Sequence, residues 1–290
     1  MTDACRPFAY PSADGRALFG RDWGDPAAPG LPLVCLPGLT RSSRDFAALA
    51  GYLAGRAARP RRVVGFDFRG RGGSAYAPVA TYNPAVEAAD VVIGLAHLGI
   101  RRALFLGTSR GGLVMMALAQ TRPGLMAGAV LNDIGPEIGT AGLARITAYV
   151  GIAPPPTWPE AIADLKASQG AMFPDLDDAA IERYARQILA DDGGRPALAY
   201  DPALRKAFEA FDPTAKLPDM WPAFEAMKDI PTMVVHGGLS DILSAETVAR
   251  MAERHLGLAV HTVAREGHAP LLWDAESREA IAAFLDRADP

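Results

Sequence analysis

Short apolar runs alternate with longer stretches of helical periodicity through the first half of the chain. The first clear run, residues 33–36, predicts a strand, and apolar residues recur at helical spacing over residues 45–53. Further strands are predicted at 62–66, 103–106 and 129–131, with intervening helices at about 84–98 and 112–120. Strands that alternate with helices in this way are typical of a parallel sheet with crossover connections.

The pattern changes over residues 135–222. Runs of β-branched residues become rare, and helical patterns such as 179–189 and 202–211 alternate with Pro and Gly. Beyond this stretch the strand and helix signals return, at 232–236, 245–255, 259–263 and 277–285. The sequence therefore predicts an α/β domain built from residues 1–135 and 223–290, interrupted by a helical insertion at 136–222.

Composition and charge exclude several classes of protein. Half of the 290 residues are hydrophobic, and the formal charge is −4, with no extended basic cluster, which disfavours nucleic-acid binding and polybasic membrane docking. The two cysteines, Cys5 and Cys35, form neither a disulfide framework nor a metal-ligand pattern. The N-terminus lacks a secretory pattern, no run of 18 apolar residues occurs, and we expect a cytoplasmic location. The sequence implies no cofactor and no metal, and it leaves the oligomeric state open.

The strongest chemical signal is the sequence Gly107-Thr108-Ser109-Arg110-Gly111, a GxSxG pattern. It lies between a predicted apolar strand and a predicted apolar helix, which is the context that a nucleophile elbow requires. A sharp strand-to-helix turn would expose the Ser109 hydroxyl at the top of the sheet, next to a helix N-terminus that favours developing negative charge. Ser109 is therefore the candidate nucleophile.

A serine nucleophile needs a base, and the chain has five histidines. His97, His236, His255 and His261 lie in or at the ends of predicted helices and strands, where a structural role is expected. His268 instead lies in a loop after the last predicted strand, on the sheet edge where Ser109 emerges. His268 is therefore the candidate general base.

Together these motifs resemble those of the α/β-hydrolase fold, in a serine-nucleophile member with a helical cap. The matching segments are Pro37-Gly38-Leu39, Asp67-Phe68-Arg69-Gly70-Arg71-Gly72, the Ser109 elbow, Gly238-Leu239-Ser240-Asp241 and Gly267-His268, in the family's order. The resemblance implies a mostly parallel central β-sheet flanked by helices, with an α-helical cap, residues 136–222, inserted after the sixth core strand. It also implies an oxyanion hole formed by the backbone N–H groups of Leu39 and Arg110.

Two aspartates are candidates for the acid that orients His268. Asp241 lies where the family usually places the acid, and the flanking Gly238 and Ser244 also fit the family's loop. Asp133, at the end of the preceding core strand, occupies a position that supplies the acid in some family members. We favour Asp241 and keep Asp133 as the alternative.

The resemblance implies a serine hydrolase that cleaves a carboxylic ester or lactone of a small to medium, largely apolar molecule, through an acyl-enzyme on Ser109. The alternatives are hydrolysis of a C–C or amide bond of a ring-cleavage product, and a non-catalytic ligand receptor of the same fold. The Arg110 side chain is expected to form a salt bridge with a neighbouring acid rather than to bind substrate. Aromatic and apolar residues of the insertion are expected to form its core and to line part of a pocket: Tyr149, Trp158, Met172, Phe173, Tyr184 and Trp221.

Overall fold

The architecture rests on one eight-stranded sheet. A computed structural model describes residues 5–209, 212, 214–215 and 217–289. Strands in these residues are β1 (Cys5–Pro11), β2 (Ala17–Trp23), β3 (Leu33–Leu36), β4 (Val63–Asp67), β5 (Ala103–Thr108), β6 (Met126–Asn132), β7 (Leu189–Asp192), β8 (Arg195–Leu198), β9 (Thr232–Gly237) and β10 (Ala259–Val263). The sheet order is β1-β2-β4-β3-β5-β6-β9-β10. Strand β2 pairs antiparallel with β1 and β4, and all other pairs in this sheet are parallel.

Helices cover both faces of this sheet. They are α1 (Ala47–Ala54), α2 (Pro84–His97), α3 (Arg110–Thr121), α4 (Thr140–Tyr149), α5 (Trp158–Gln169), α6 (Asp178–Ile188), α7 (Trp221–Glu225), α8 (Ala245–Arg254) and α9 (Ala275–Ala288). Strands β3, β4, β6 and β9 are buried along their whole length. Their side chains divide between two apolar clusters, one containing residues of α2 and α3 and the other residues of α1 and α9. Burial on both faces explains why these strands read as continuous apolar runs.

The predicted α/β class and the central strands are confirmed, but the pattern analysis missed β1 and β2. Strand β1 is an edge strand in which Tyr10 alone is buried, and it contains Pro7 and Pro11. Proline is tolerated at a sheet edge, where it removes no ladder hydrogen bond, yet it weakens the sequence signal of a strand. The antiparallel hairpin therefore gave no clear periodicity.

The insertion is less regular than expected. Residues 136–222 contain α4 to α6 and the start of α7, but also the hairpin of β7 and β8, which turns through Gly193 and Gly194, both with positive φ. The helix predicted at 202–211 is a 3-10 helix over Pro202–Phe208, and position 211 lies outside the described residues. The segment follows β6, as expected, and its identity as a cap stays a prediction.

Helix α3 packs closely on the sheet because glycines remove side chains at its start. A Cβ at Gly111 would lie 2.1 Å from the Leu36 carbonyl oxygen, and one at Gly107 would lie 2.5 Å from the Gly111 carbonyl carbon. These contacts are with backbone, which cannot move aside cheaply. The two glycines of the GxSxG pattern therefore fix how deeply α3 sits against β3 and β5.

We expect Gly111→Ala to lower the free energy of unfolding by at least about 2 kcal/mol, because the added methyl overpacks backbone. Gly51→Ala is the matched control: Gly51 lies in α1 with nothing within 4 Å of an added Cβ. That change should stabilise by roughly 0.5–1 kcal/mol, as alanine does in a helix. Urea unfolding of both variants measures the contrast, and equal effects would contradict this packing.

Candidate active site

Ser109 lies at the turn between β5 and α3, the strand–turn–helix context that the sequence predicts. Its backbone has φ 51° and ψ −111°, a conformation that residues with a side chain rarely adopt. The turn is held by the Ser109 N–H, which donates to the Asn132 carbonyl at 3.0 Å. Strained backbone of this kind persists only where its surroundings determine it, and here it presents the hydroxyl at the carboxyl edge of the sheet.

His268 reaches Ser109 from the loop after β10. Its Nε2 lies 2.8 Å from the Ser109 Oγ. The loop is held from both ends: the Gly267 N–H donates to the Met172 carbonyl at 2.7 Å, and the Asn132 side-chain amide donates to the Pro270 carbonyl at 3.0 Å. The loop that carries the ring is therefore held by contacts to both the sheet and the inserted segment.

Asp133 is the carboxylate that contacts the other ring nitrogen. Its Oδ2 lies 2.8 Å from His268 Nδ1, and the side chain is fully buried. Oδ1 accepts the Gly237 N–H at 2.8 Å, and Oδ2 also accepts the Ser240 hydroxyl at 2.6 Å. Because an ionised carboxylate only accepts hydrogen bonds, this arrangement places a proton on His268 Nδ1 and leaves Nε2 free to accept one from Ser109.

The preference for Asp241 is wrong about which carboxylate contacts His268; the alternative, Asp133, makes that contact. Asp241 instead accepts two hydrogen bonds from Arg145, at 2.7 and 2.8 Å. The Arg145 guanidinium, more than the charge of His268, holds the pKa of Asp241 below its usual value. The physical reason is strand order: Asp133 directly follows β6, next to β5, whereas Asp241 lies four residues past the end of β9.

Leu39 and Arg110, the predicted oxyanion-binding residues, both lie near Ser109. Arg110 follows Ser109 in sequence, and a Cβ at Gly38 would lie 3.9 Å from the Ser109 Cβ, so the loop of Leu39 passes beside the Ser109 side chain. No acceptor among the described residues takes the Leu39 N–H. Arg110 is the first residue of α3, where the N–H has no partner within the helix. Both amides are thus available, and their role stays a prediction.

The Arg110 side chain confirms the expected salt bridge. Its Nε lies 2.7 Å from Glu87 Oε2, and its Nη2 donates to the Tyr82 carbonyl at 2.9 Å. Glu87 was not singled out in the sequence, where it reads as an ordinary helical acid. The sequence offers one indication of its role: Glu87 is a charged residue at a position of α2 that is flanked by apolar residues.

The remaining histidines have structural surroundings, as expected. His236 Nε2 lies 3.1 Å from the Leu243 carbonyl oxygen, and His255 Nε2 lies within hydrogen-bond distance of two carbonyls of the 227–230 segment. His261 Nε2 lies 3.1 Å from Ser277 Oγ, and the His97 ring faces the Tyr10 ring at 6.2 Å. None of these four side chains approaches Ser109 in the described structure.

A cavity of about 720 Å³ opens onto Ser109 and His268. Its walls come from the Leu39 loop and from the inserted segment, including Tyr149 and Tyr184 among the predicted pocket residues. Phe173 and Met172 do not line the cavity; they pack behind its wall, in a buried cluster with Tyr184 and Leu271. Trp158 and Trp221 bind acids through their indole N–H groups and do not line the cavity.

Two ion pairs interrupt the apolar wall. Arg41 binds Asp45 through two nitrogens, at 2.7 and 3.1 Å, and its Nη1 donates to the Tyr184 hydroxyl at 3.2 Å. The second pair is Arg145 with Asp241, of which Arg145 lines the cavity. Across the described part of the chain, no cluster of side chains has the composition of a metal site, and no helix is both long and apolar enough to cross a membrane.

Comparisons with known proteins agree with this fold. Residues 33–284 match the model of the alpha/beta hydrolase family. The chain is 36% identical over 261 residues to a 3-hydroxybutyrate-oligomer hydrolase of Cupriavidus necator, covering 87% of each chain. It is 42% identical to an alpha/beta hydrolase of Novosphingobium aromaticivorans, with a TM-score of 0.89 over 98% of each chain. It is also similar to the esterase RhEst1 of a Rhodococcus species, at 25% identity and a TM-score of 0.69 over 98% of each chain.

All three of these relatives are hydrolases or esterases by name. The family match spans most of the chain, and the Cupriavidus relative exceeds 30% identity over nearly its whole length. The eight-stranded sheet, the Ser109 turn and the order of the site residues have the arrangement of that fold. The chain therefore belongs to the α/β-hydrolase family.

Proposed function

We propose that this protein hydrolyses carboxylic esters through an acyl-enzyme on Ser109. The observation that carries the proposal is that His268 contacts both other residues: its Nε2 lies 2.8 Å from Ser109 Oγ, and its Nδ1 lies 2.8 Å from Asp133 Oδ2. A serine hydroxyl is a weak nucleophile at neutral pH, and it becomes reactive when a base within hydrogen-bond distance takes its proton. This contact supplies that base together with an acid that orients it.

The proposed reaction has two halves. In the first, His268 Nε2 takes the Ser109 proton while Oγ attacks the ester carbonyl, and the imidazolium then protonates the leaving alcohol. In the second, His268 takes a proton from a water that attacks the acyl carbonyl, and it returns that proton to Ser109 Oγ as the bond to Oγ breaks and the acid is released. Asp133 stays ionised throughout, and its negative charge stabilises the imidazolium.

Each half passes through a tetrahedral intermediate with a negative oxygen. We propose that the N–H groups of Leu39 and Arg110 bind this oxygen, because both residues lie near Ser109 and neither N–H has an acceptor among the described residues. In other enzymes the loss of one such donor costs roughly 3 kcal/mol of transition-state stabilisation. The N-terminal end of α3 adds a favourable dipole at the same place.

For the substrate, we propose a small to medium, largely apolar ester, with short oligoesters of hydroxy acids as the first class to test. A cavity of about 720 Å³ lies within the range that accommodates small organic ligands. The similarity to a hydrolase of 3-hydroxybutyrate oligomers supports this class. Residues 136–222, as the proposed cap, would set the length and shape of the acyl chain.

Asp133→Asn should lower kcat roughly 10³- to 10⁴-fold, because an amide cannot accept from Nδ1 as a carboxylate does and favours the wrong tautomer. Asp241→Asn is the matched control and should lower kcat less than about tenfold, since its partner is Arg145 rather than the base. Steady-state ester hydrolysis by variants with wild-type circular dichroism measures both. A larger loss at Asp241 would contradict the assignment of Asp133.

The linear trimer of 3-hydroxybutyrate should be hydrolysed to shorter acids, and the analogue with amide bonds in place of ester bonds should not. The reason is the leaving group: an alkoxide leaves a tetrahedral intermediate more readily than an amide anion does. Chromatography of the products, with Ser109→Ala as the control for background hydrolysis, measures this. Faster cleavage of the amide, or of a C–C bond in a vinylogous diketone, would favour the alternative reactions instead.

A further inference from the structure

The two amides proposed to bind the oxyanion belong to different parts of the chain. Leu39 lies in the loop after β3, and Arg110 begins α3 after β5. An oxyanion hole works only when both donors point at the position where the negative oxygen forms. The structure must therefore fix the loop and the helix relative to each other.

A buried network joins these two segments. Arg71, in the turn after β4, donates from Nε to the Leu39 carbonyl at 2.8 Å and from Nη1 to the Arg69 carbonyl at 2.7 Å. Its Nη1 also lies 3.0 Å from Glu87 Oε1. The other oxygen of Glu87 binds Arg110 Nε at 2.7 Å. The Glu87 carboxylate thus links Arg71, which binds the Leu39 loop, to Arg110, the residue after Ser109.

Further contacts hold the network in place. The Arg71 guanidinium lies over the Tyr82 ring, 5.1 Å from its centre, while the Tyr82 carbonyl accepts from Arg110 Nη2. The Tyr82 hydroxyl donates to Asp201 at 2.6 Å. Arg71 and Glu87 are fully buried, so the geometry is held without water contact at their side chains.

The desolvation cost of this network offsets most of the stability that its ion pairs contribute. Removing charged groups from water costs several kcal/mol each, and ion pairs commonly recover no more than that cost. Arg71 Nη2 and Glu87 Oε1 lack a well-aligned hydrogen-bond partner among the described residues. Burial accordingly lowers the pKa of Arg71. A role beyond stability accounts better for such a cluster next to the nucleophile.

We propose that the Arg71–Glu87–Arg110 network positions the two oxyanion-binding amides. Arg71 fixes the carbonyl of Leu39 and with it the backbone rotation of that residue. Glu87 binds both Arg71 and Arg110. It thereby fixes the Arg110 side chain, and with it the first turn of α3, relative to the Arg71 guanidinium. Arg71 and Glu87 are therefore positioning residues. The inference rests on the proposed ester hydrolysis. It adds to that proposal the residues that hold the Leu39 loop and the first turn of α3 in place.

The test compares Glu87→Gln with Asp90→Asn. Both carboxylates lie on α2, both are buried, and both bind an arginine of the turn after β4: Glu87 binds Arg71, and Asp90 binds Arg69 at 2.7 and 2.8 Å. The Asp90 pair makes no contact with Leu39 or Arg110 in the described structure, and it touches the network only through the Arg69 backbone carbonyl, which accepts from Arg71. Asp90→Asn therefore controls for the loss of a buried charge.

We expect Glu87→Gln to lower kcat roughly 10- to 100-fold with KM nearly unchanged, a smaller effect than the outright loss of an oxyanion donor. The affinity for a trifluoromethyl ketone, which forms a negative tetrahedral adduct on a serine, should fall by the same factor as kcat/KM. Glu87→Gln and Asp90→Asn should both lower the melting temperature by a similar amount, because each removes a buried charge. Asp90→Asn should nevertheless leave kcat within about threefold of the wild-type value. Arg71→Lys, which keeps the charge but lacks the planar fork, should behave like Glu87→Gln.

Equal kcat losses in Glu87→Gln and Asp90→Asn, or wild-type kcat and ketone affinity in Arg71→Lys, would overturn the inference alone. A folded wild-type protein that hydrolyses no ester and forms no ketone adduct would overturn the proposed function, and the inference with it. If Glu87→Gln does not fold, Arg71→Lys gives the same comparison from the other end of the network.

Discussion

The hydrogen bond between His268 and Asp133 is the contact on which the rest of the site depends. It joins a loop that follows the edge strand β10 to the end of the central strand β6, across β9. The parallel register makes this possible, because β5, β6 and β9 all end at one edge of the sheet. Without that carboxylate the imidazole would have neither a fixed tautomer nor a fixed orientation toward Ser109.

The glycines near this edge allow the close backbone packing that the contact between His268 and Asp133 requires. A Cβ at Gly237 would lie 2.6 Å from the Gly267 carbonyl oxygen, so only a residue without a side chain lets the His268 loop approach β9. Gly107 and Gly111 do the same for α3 at the Ser109 turn. The site is thus set by backbone packing first, and the ion pairs of Arg71, Glu87 and Arg110 add rigidity to one side of it.

The sequence was sufficient to predict the parallel core and to select Ser109 and His268, which the structure brings into contact, because apolar strands, the GxSxG turn and a histidine in a terminal loop are local signals. It was insufficient to choose between Asp133 and Asp241. That choice depends on which carboxylate lies within hydrogen-bond distance of a ring more than 20 residues away, and on Arg145 holding the other one. Glu87 was missed because its partners, Arg71 and Arg110, are distant in sequence. The β1–β2 hairpin is local, but β1 contains two prolines and mostly exposed positions, which weaken the signal of a strand.

The central claim is that Ser109 is a nucleophile activated by His268. The most direct measurement is the intact mass of the protein after exposure to a fluorophosphonate, for the wild type, Ser109→Ala and His268→Ala. We predict one adduct on the wild type that maps to Ser109, none on Ser109→Ala, and much slower labelling of His268→Ala. A folded wild type that forms no adduct, or an adduct that forms equally fast without His268, would contradict the account.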